Sequence, residues 1–201
     1  MGFSQCYLAI IGLPPAAVLE KLALRPTGER QDFADAPLTC VTLPSGWFLI
    51  NAEGAGHEIG SQETLSALSA GGEAIACSVE EHVMESSAQL WRNGRRVWWI
   101  GHDANKGIEH LDVQGEAPAV FEGIRADLLG KQREARGRRA NVDMIFDVPV
   151  EVAKSLTGYR YDHLTPGLTG DPFEVLESLR PGASTLKPPA PRKTFLQRIF
   201  G

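Results

Sequence analysis

The dipeptide Asn93-Gly94 constrains the fold of this chain more than any other feature. Both residue types tolerate the positive φ angles that a type I′ turn requires, and β-prone runs flank the dipeptide, so the sequence predicts a two-residue β-hairpin. A further strand-like run, 74–79, precedes the hairpin. We therefore predict a three-stranded antiparallel meander over residues 73–103, with the rest of the chain packed around it.

The two-residue loop also predicts which side chains share a face of the hairpin, because successive side chains of a strand point to opposite faces. One face would carry Ala88, Leu90, Val97 and Trp99, and the other would carry Gln89, Trp91, Arg96 and Trp98. The first face is predicted to line the core. On the second, Arg96 would lie over Trp91, a cation–π contact worth about 0.5–1 kcal/mol. That face is either covered by another element or binds a partner, which makes Trp91, Arg96 and Trp98 the candidate binding residues.

The segments before the meander predict an α+β fold. The nearly continuous apolar run 5–13 is typical of a central strand buried on both faces. There follow a helix from about Pro15 to Leu24, a hairpin of strands 38–43 and 46–51, a helix capped by Ser61, and the strand 74–79. The order β, α, β, β, α, β is the split βαβ, or ferredoxin-like, arrangement. We expect a mainly antiparallel sheet that starts in this way, is extended by the meander, and carries its helices on one face.

The segments after the meander complete one domain. Helices are predicted over 118–135, 149–156 and 172–179, a short strand over 108–113, and loops over 25–36 and 159–172. A chain of this length can bury a core without disulfides or a metal. We predict a single α+β domain over residues 1–180, followed over 181–201 by a Pro-rich linker and a flexible basic tail.

Composition and charge favour a cytoplasmic protein. The 201 residues contain no long apolar run, no secretory signal pattern, and three widely spaced cysteines of the kind that remain free and buried. The net charge is −5, but residues 181–201 carry four cations and no acid, which leaves −9 for the rest. The basic stretch KQREARGRR could meet phosphates, yet the body is acidic and no nucleic-acid module is recognisable. We therefore predict no nucleic-acid partner.

Acidic and imidazole side chains gather at the two ends of the meander. Carboxylates and imidazoles in one small volume can hold a divalent metal or act as acid and base. The candidate metal ligands are Glu80, His82 and Glu85. The candidate catalytic residues are Glu81, His82, His102 and Asp103. Their spacing matches no known ligand motif, so we predict no cofactor, with a divalent metal as the alternative.

The C-terminal tail is a further candidate for docking. It combines Arg192, Lys193 and Arg198 with Phe195, Leu196, Ile199 and Phe200. Apolar residues at this spacing share one side of a short helix, which suits a membrane surface or a groove in a partner. A frayed tail is an equal alternative, because the segment is too short to be a stable helix by itself.

The lack of a complete catalytic motif favours a binding protein over an enzyme. We predict a non-catalytic cytosolic protein-binding module, of the adaptor or immunity type, that uses the aromatic and arginine face of the hairpin. Its expected partner is a protein. The alternative is a metal-assisted or acid-base hydrolase that uses the Glu, His and Asp cluster at the ends of the meander.

Overall fold

The protein is organised around one large sheet, described in a computed structural model that covers residues 2–137 and 142–180. Within these residues the strands are β1 (Ser4–Ile11), β2 (Leu24–Gln31), β3 (Leu38–Thr42), β4 (Phe48–Glu53), β5 (Glu73–Glu80), β6 (Glu85–Arg92), β7 (Arg95–Asp103), β8 (Asp112–Gly115) and β9 (Phe173–Ser178). The helices are α1 (Pro15–Leu22), α2 (Gln62–Leu68), α3 (Phe121–Gly137) and α4 (Asp147–Thr157). The strands lie in the order β2-β9-β3-β4-β1-β5-β6-β7-β8, and all neighbours are antiparallel. The predicted α+β class with a mainly antiparallel sheet is confirmed, whereas the predicted tail, 181–201, lies outside the described residues.

The hairpin turn forms where the sequence predicts it. Asn93 and Gly94 have φ angles of 51° and 74°, the left-handed conformation that a type I′ turn needs. β5, β6 and β7 are consecutive neighbours in the sheet, so the predicted meander is confirmed.

The register of the hairpin departs from the predicted one a short distance from the turn. Trp91 pairs with Arg96 as predicted. Leu90, however, pairs with Trp98, because Val97 is an extra residue in β7. An extra residue turns every later side chain of its strand to the opposite face. The predicted faces are therefore correct for β6, where Ala88 and Leu90 line the core, but wrong for the residues of β7 after the bulge, and Trp98 points into the core.

The helices cover both faces of the sheet, so the prediction that they lie on one face is wrong. α1 and α2 pack on the face that includes Cys6, Leu8 and Ile10 of β1. α3 and α4 pack on the opposite face, which includes Tyr7 and Ala9. Because both faces of β1 are apolar, each of them needs a cover. Within the described part of the chain, no helix has the length and apolar character of a membrane span.

Two segments predicted as a loop and a helix are the outermost strand at one end of the sheet and the strand next to it. The predicted loop 25–36 contains most of β2, and the predicted helix 172–179 is β9. β2 pairs with β9, and β9 pairs in turn with β3. Six of the eight residues of β2 are exposed, so this strand lacks the apolar alternation by which strands are recognised. Pairing within the sheet overrides the local pattern in both segments.

The junction between α2 and β5 brings two backbones into contact and gives a testable prediction. A Cβ atom at Gly72 would lie 2.0 Å from the carbonyl oxygen of Ile11. Gly72→Ala is therefore expected to lower the free energy of unfolding by roughly 2–3 kcal/mol, because the end of β1 must shift. Urea unfolding curves measure the loss. Gly71→Ala is the matched control, since its Cβ would make an ordinary 3.5 Å contact with Leu13; an equal loss in both variants would contradict the prediction.

Candidate functional site

The three predicted binding residues of the hairpin do not share a surface. Trp98 is 1 % exposed and lies in the core beneath α3 and α4. Trp91 is 7 % exposed and lies on the opposite face of the sheet, where its Nε1 donates to Gln89 at 2.9 Å. Arg96 is exposed and donates to Gln114 of β8 at 2.9 Å. The extra residue in β7 is the cause of this separation, since it turns Trp98 away from its predicted neighbours.

The acidic and imidazole cluster at the β5–β6 connection is divided among separate contacts. Glu80 Oε1 lies 2.6 Å from Nδ1 of His82, which is exposed. Glu81 Oε1 instead accepts a hydrogen bond from the hydroxyl of Tyr161 at 2.7 Å. Among residues 2–137 and 142–180, no three or more His, Cys, Asp or Glu side chains are placed to hold a metal ion. The predicted metal ligands Glu80, His82 and Glu85 therefore do not form such a group.

His102 and Asp103, both predicted to be catalytic, make contacts within the fold. The side chain of His102 is fully buried, with Nδ1 2.7 Å from the carbonyl oxygen of His110 and Nε2 2.9 Å from Asp143 Oδ2. Both partners are acceptors, which suits a doubly protonated imidazolium. Burial alone would lower the pKa of His102, but the bonds to Asp143 and to the carbonyl outweigh it and raise the pKa. Asp103 accepts from the backbone N–H of Asn105 at 2.9 Å and caps a short 3-10 turn.

A dense group of ionic contacts lies where α4 meets the segment that follows it. Arg160 is only 9 % exposed. It donates from Nε to Asp162 at 2.6 Å, from Nη1 to Glu151 at 2.6 Å and from Nη2 to Asp147 at 2.8 Å. Burial opposes the charge on the guanidinium, but the three carboxylates outweigh burial and raise the pKa of Arg160. Burial also raises the pKa of Asp147, although the nearby guanidinium acts in the opposite direction.

The fold positions Arg160 through the residues that precede it. α4 ends at Gly158, whose left-handed φ of 81° lets the chain leave the helix. Tyr159 is then buried against Tyr7, with ring centroids 5.1 Å apart. Its hydroxyl accepts a hydrogen bond from Asn51 Nδ2 at 2.6 Å. This anchor in the sheet holds the next residue, Arg160, beside the carboxylates of α4.

Tyr161 extends the ionic group to the surface of the molecule. Its ring meets the ring of Phe3 edge to face at a centroid distance of 5.3 Å. Phe3 is 47 % exposed, and its backbone N–H donates to Glu81 Oε2 at 2.9 Å. The guanidinium of Arg160 lies 5.9 Å from the ring centroid of Tyr161. Burial, followed by the bond to Glu81, raises the pKa of Tyr161, so its hydroxyl remains a donor at neutral pH.

We call this region the acidic aromatic surface. It consists of the rings of Phe3 and Tyr161, the carboxylates of Glu80, Glu81, Asp147, Glu151 and Asp162, and the cations of Lys154 and Arg160. Five carboxylates against two cations give this set a net charge of −3. The hydroxyl of Ser4, and after it His82, lowers the pKa of Glu80.

The chemistry of this surface suits recognition of cations. An exposed ring beside carboxylates can accept an apolar anchor together with lysine or arginine side chains. Of its members, the sequence predicted a functional role for Glu80, as a metal ligand, and for Glu81, as a catalytic residue. Asp147 and Glu151 lie four residues apart on α4 and so share one face of it, but the helix predicted from the sequence begins at residue 149 and leaves Asp147 outside. The aromatic pair had no local signal, because Phe3 and Tyr161 are far apart in the chain.

Comparisons with protein-family models, with curated protein sequences and with solved structures give no match to this chain.

Proposed function

We propose that this protein is a protein-binding module that docks a basic partner on the acidic aromatic surface. The edge-to-face pair of the exposed Phe3 and the partly buried Tyr161, with carboxylates beside it, supports this function most directly. Aromatic side chains dominate interface energetics when a partner buries them. Carboxylates around them steer a basic partner to the site and disfavour an acidic one. The binding function predicted from the sequence is kept, and the docking surface moves from the hairpin face to these residues.

The acidic aromatic surface is held in place by bonds within the protein, which favours binding. Glu81 accepts two hydrogen bonds, one from Tyr161 and one from the backbone of Phe3. The guanidinium of Arg160 fixes three more carboxylates. A surface with side chains that are already ordered loses less conformational entropy on association. A partner therefore meets carboxylate acceptors that are already held in position.

The start of the sheet supports the ferredoxin-like arrangement as a finer description of the fold. β3, β4, β1 and β5 are consecutive neighbours, and α1 and α2 pack on one face of these strands. In a split βαβ unit the third strand lies between the first two, as β4 lies between β1 and β3 here. β2 follows α1 in the chain but joins the sheet at its edge, beside β9.

The cysteines support the cytoplasm as the compartment of the protein. All three are free and buried. Burial raises the pKa of Cys6 to about 11 and that of Cys77 to about 12. Buried, neutral thiols of this kind are ordinary core residues in a reducing compartment.

Photo-crosslinking at Phe3 tests the proposed docking surface. Phe3→p-benzoylphenylalanine in the full-length chain is expected to give a discrete covalent adduct with a basic protein when cells that contain it are irradiated. Val113→p-benzoylphenylalanine is the matched control, because Val113 is also exposed but lies on β8. Four strand spacings, roughly 19 Å, separate β8 from β1, so the control should give no such adduct.

The charge on the surface provides the second half of the test. Glu81→Gln combined with Asp162→Asn is expected to reduce the yield of the Phe3 adduct about fivefold, and added salt should reduce it as well. An adduct that is insensitive to both changes would contradict docking by charge. An acidic partner, or equal adducts from Phe3 and Val113, would contradict the proposed surface.

A further inference from the structure

The last described strand, β9, ends at the same end of the sheet as the acidic aromatic surface. β9, β3, β4 and β1 are consecutive antiparallel neighbours. Through these pairings Val175 of β9 lies in one row with Tyr7 of β1. Ser178, three residues later in β9, is therefore level with Ser4. Three strand spacings, roughly 14 Å, separate the two strands.

An ion pair places the end of the described chain beside the start of β1. Arg180 Nη1 lies 2.6 Å from Glu58 Oε2. Glu58 begins a short 3-10 turn (Glu58–Gly60) that contacts β1. The loop before this turn is tied to the same place, because the backbone N–H of Gly54 donates to the carbonyl oxygen of Ser4 at 2.8 Å. The segment 181–201, the tail, therefore starts at the end of the sheet where Phe3 lies.

Exposed apolar side chains lie along this end of the sheet. They are Leu179 just after β9, Phe3 just before β1, and Val83 in the connection between β5 and β6. β5 is the neighbour of β1 on the side away from β9. Single exposed apolar residues are ordinary, but several along one end of a sheet are typical of an interaction site. Here they form a path from the end of β9 to the acidic aromatic surface.

The composition of the tail is complementary to this path and to the acidic aromatic surface. The tail carries no acidic side chain, and its four cations are Lys187, Arg192, Lys193 and Arg198. Its large apolar side chains near the cations are Phe195, Leu196, Ile199 and Phe200. The acidic aromatic surface has a net charge of −3. Each carboxylate offers about four acceptor positions, so those that bind Arg160 or Tyr161 can accept further donors.

The tail is long enough to reach this surface from the end of β9. A fully extended chain spans at most about 3.3–3.6 Å per residue, so about five residues cover the roughly 14 Å between β9 and β1. Phe195 lies much further than this from Arg180 along the chain. A short tether also gives an effective concentration in about the millimolar range. A contact that would be too weak to hold a separate peptide is therefore occupied when the peptide is part of the chain.

We propose that the tail of this chain docks on its own acidic aromatic surface. Its cations lie beside the carboxylates, and its apolar side chains lie against Phe3. The tail then covers the surface until a basic partner displaces it. This regulatory role rests on the proposed function, whereas the docking of the tail requires no partner.

Photo-crosslinking of the purified full-length protein, with no partner present, tests this docking. Phe3→p-benzoylphenylalanine is expected to give a covalent adduct with the tail, which mass spectrometry of proteolytic peptides locates. The yield should stay constant over about a hundredfold dilution, because a tether fixes the effective concentration. Val113→p-benzoylphenylalanine is the matched control, since Val113 is exposed on β8, and it should give no such adduct. A yield that falls on dilution would assign the contact to the tail of a second copy and overturn the proposal.

Changes of charge locate the contact on the surface. Glu81→Gln combined with Asp162→Asn is expected to lower the yield of the tail adduct about fivefold. Glu122→Gln combined with Asp127→Asn is the matched control, because it removes the same charge from exposed positions of α3, and it should change the yield less than about twofold. An absent tail adduct, or an equal loss in both double variants, would overturn the proposal.

A variant of the tail separates this inference from the proposed function. The variant combines Arg192→Gln, Lys193→Gln and Arg198→Gln. It should lower the yield of the tail adduct about fivefold and, in cells, raise the yield of the adduct with the basic partner about threefold, because the surface is uncovered. A tail adduct without any partner adduct would support docking of the tail and contradict the proposed function. A partner adduct without a tail adduct would overturn docking of the tail alone, and an unchanged partner yield would overturn its regulatory role.

Discussion

Arg160→Met is expected to lower the free energy of unfolding by roughly 3–4 kcal/mol at neutral pH. Arg160 is 9 % exposed and binds three carboxylates at 2.6 to 2.8 Å. Without the guanidinium, Asp147, Glu151 and Asp162 lose their shared partner and repel one another in a partly buried position. Urea unfolding monitored by tryptophan fluorescence measures the loss, because Trp98 lies in the core beneath α4.

Neutralising the carboxylates in the Arg160→Met background separates repulsion from lost packing. The variant that adds Asp147→Asn, Glu151→Gln and Asp162→Asn is expected to regain about 2 kcal/mol, because neutral side chains do not repel. Arg25→Met is the matched control, since Arg25 forms one exposed ion pair with Glu177, and it should cost less than about 1 kcal/mol. If Arg160→Met costs no more than Arg25→Met, the ionic group does not stabilise the fold.

Features that depend on neighbouring residues could be predicted from the sequence. The turn at Asn93-Gly94 needs only two residues that accept positive φ. The cap of α2 by Ser61, whose side chain accepts from Thr64 N–H, and the end of α4 at Gly158 are equally local. Such local signals allowed the meander and most of the helices to be predicted, because the residues that form each turn or cap lie within a few positions of one another in the chain.

Features that depend on the sheet as a whole could not be predicted in this way. Val97 has no local mark that distinguishes it from an ordinary strand residue, yet its insertion decides that Trp98 is buried. The extra residue places Trp98 and Ile100 in the core, where the predicted register would place Trp99. β2 illustrates the same limit, because its pairing with β9 joins segments about 150 residues apart.

Most of the candidate site could not be predicted from the sequence for the same reason. The hydrogen bond from Tyr161 to Glu81 spans 80 residues. The sequence predicted a role for Glu81 through its acidic neighbours, but no local pattern links it to Phe3 or to Arg160. Acidic side chains in a strand connection and an arginine in a turn-rich segment are common, and only the fold brings them together.

The stability of the protein is expected to fall as the pH rises above 6.5, and His102 is the cause. Its pKa is raised from 6.5 because both ring nitrogens bind acceptors, the carboxylate of Asp143 and the carbonyl of His110. A group whose pKa is higher in the folded state binds its proton more tightly there. Its contribution to stability is therefore complete below pH 6.5 and is lost as the pH rises through the folded pKa.

His102→Gln isolates this contribution, because glutamine does not titrate. At about pH 6 the variant is expected to lose roughly 3 kcal/mol, since it leaves the buried carboxylate of Asp143 without its cation. The difference from the unmodified protein should narrow as the pH rises, and urea unfolding between about pH 5.5 and 9 measures it.

His82→Gln is the matched control for the buried histidine, because His82 also lies beside a carboxylate but is exposed to solvent. Its free energy of unfolding should stay within about 0.5 kcal/mol of that of the unmodified protein at every pH. A difference between the His102→Gln variant and the unmodified protein that is constant over this range would assign His102 a role in packing alone. A difference that closes with rising pH would identify the proton on His102 as the stabilising element, since only a titrating group can make the loss depend on pH.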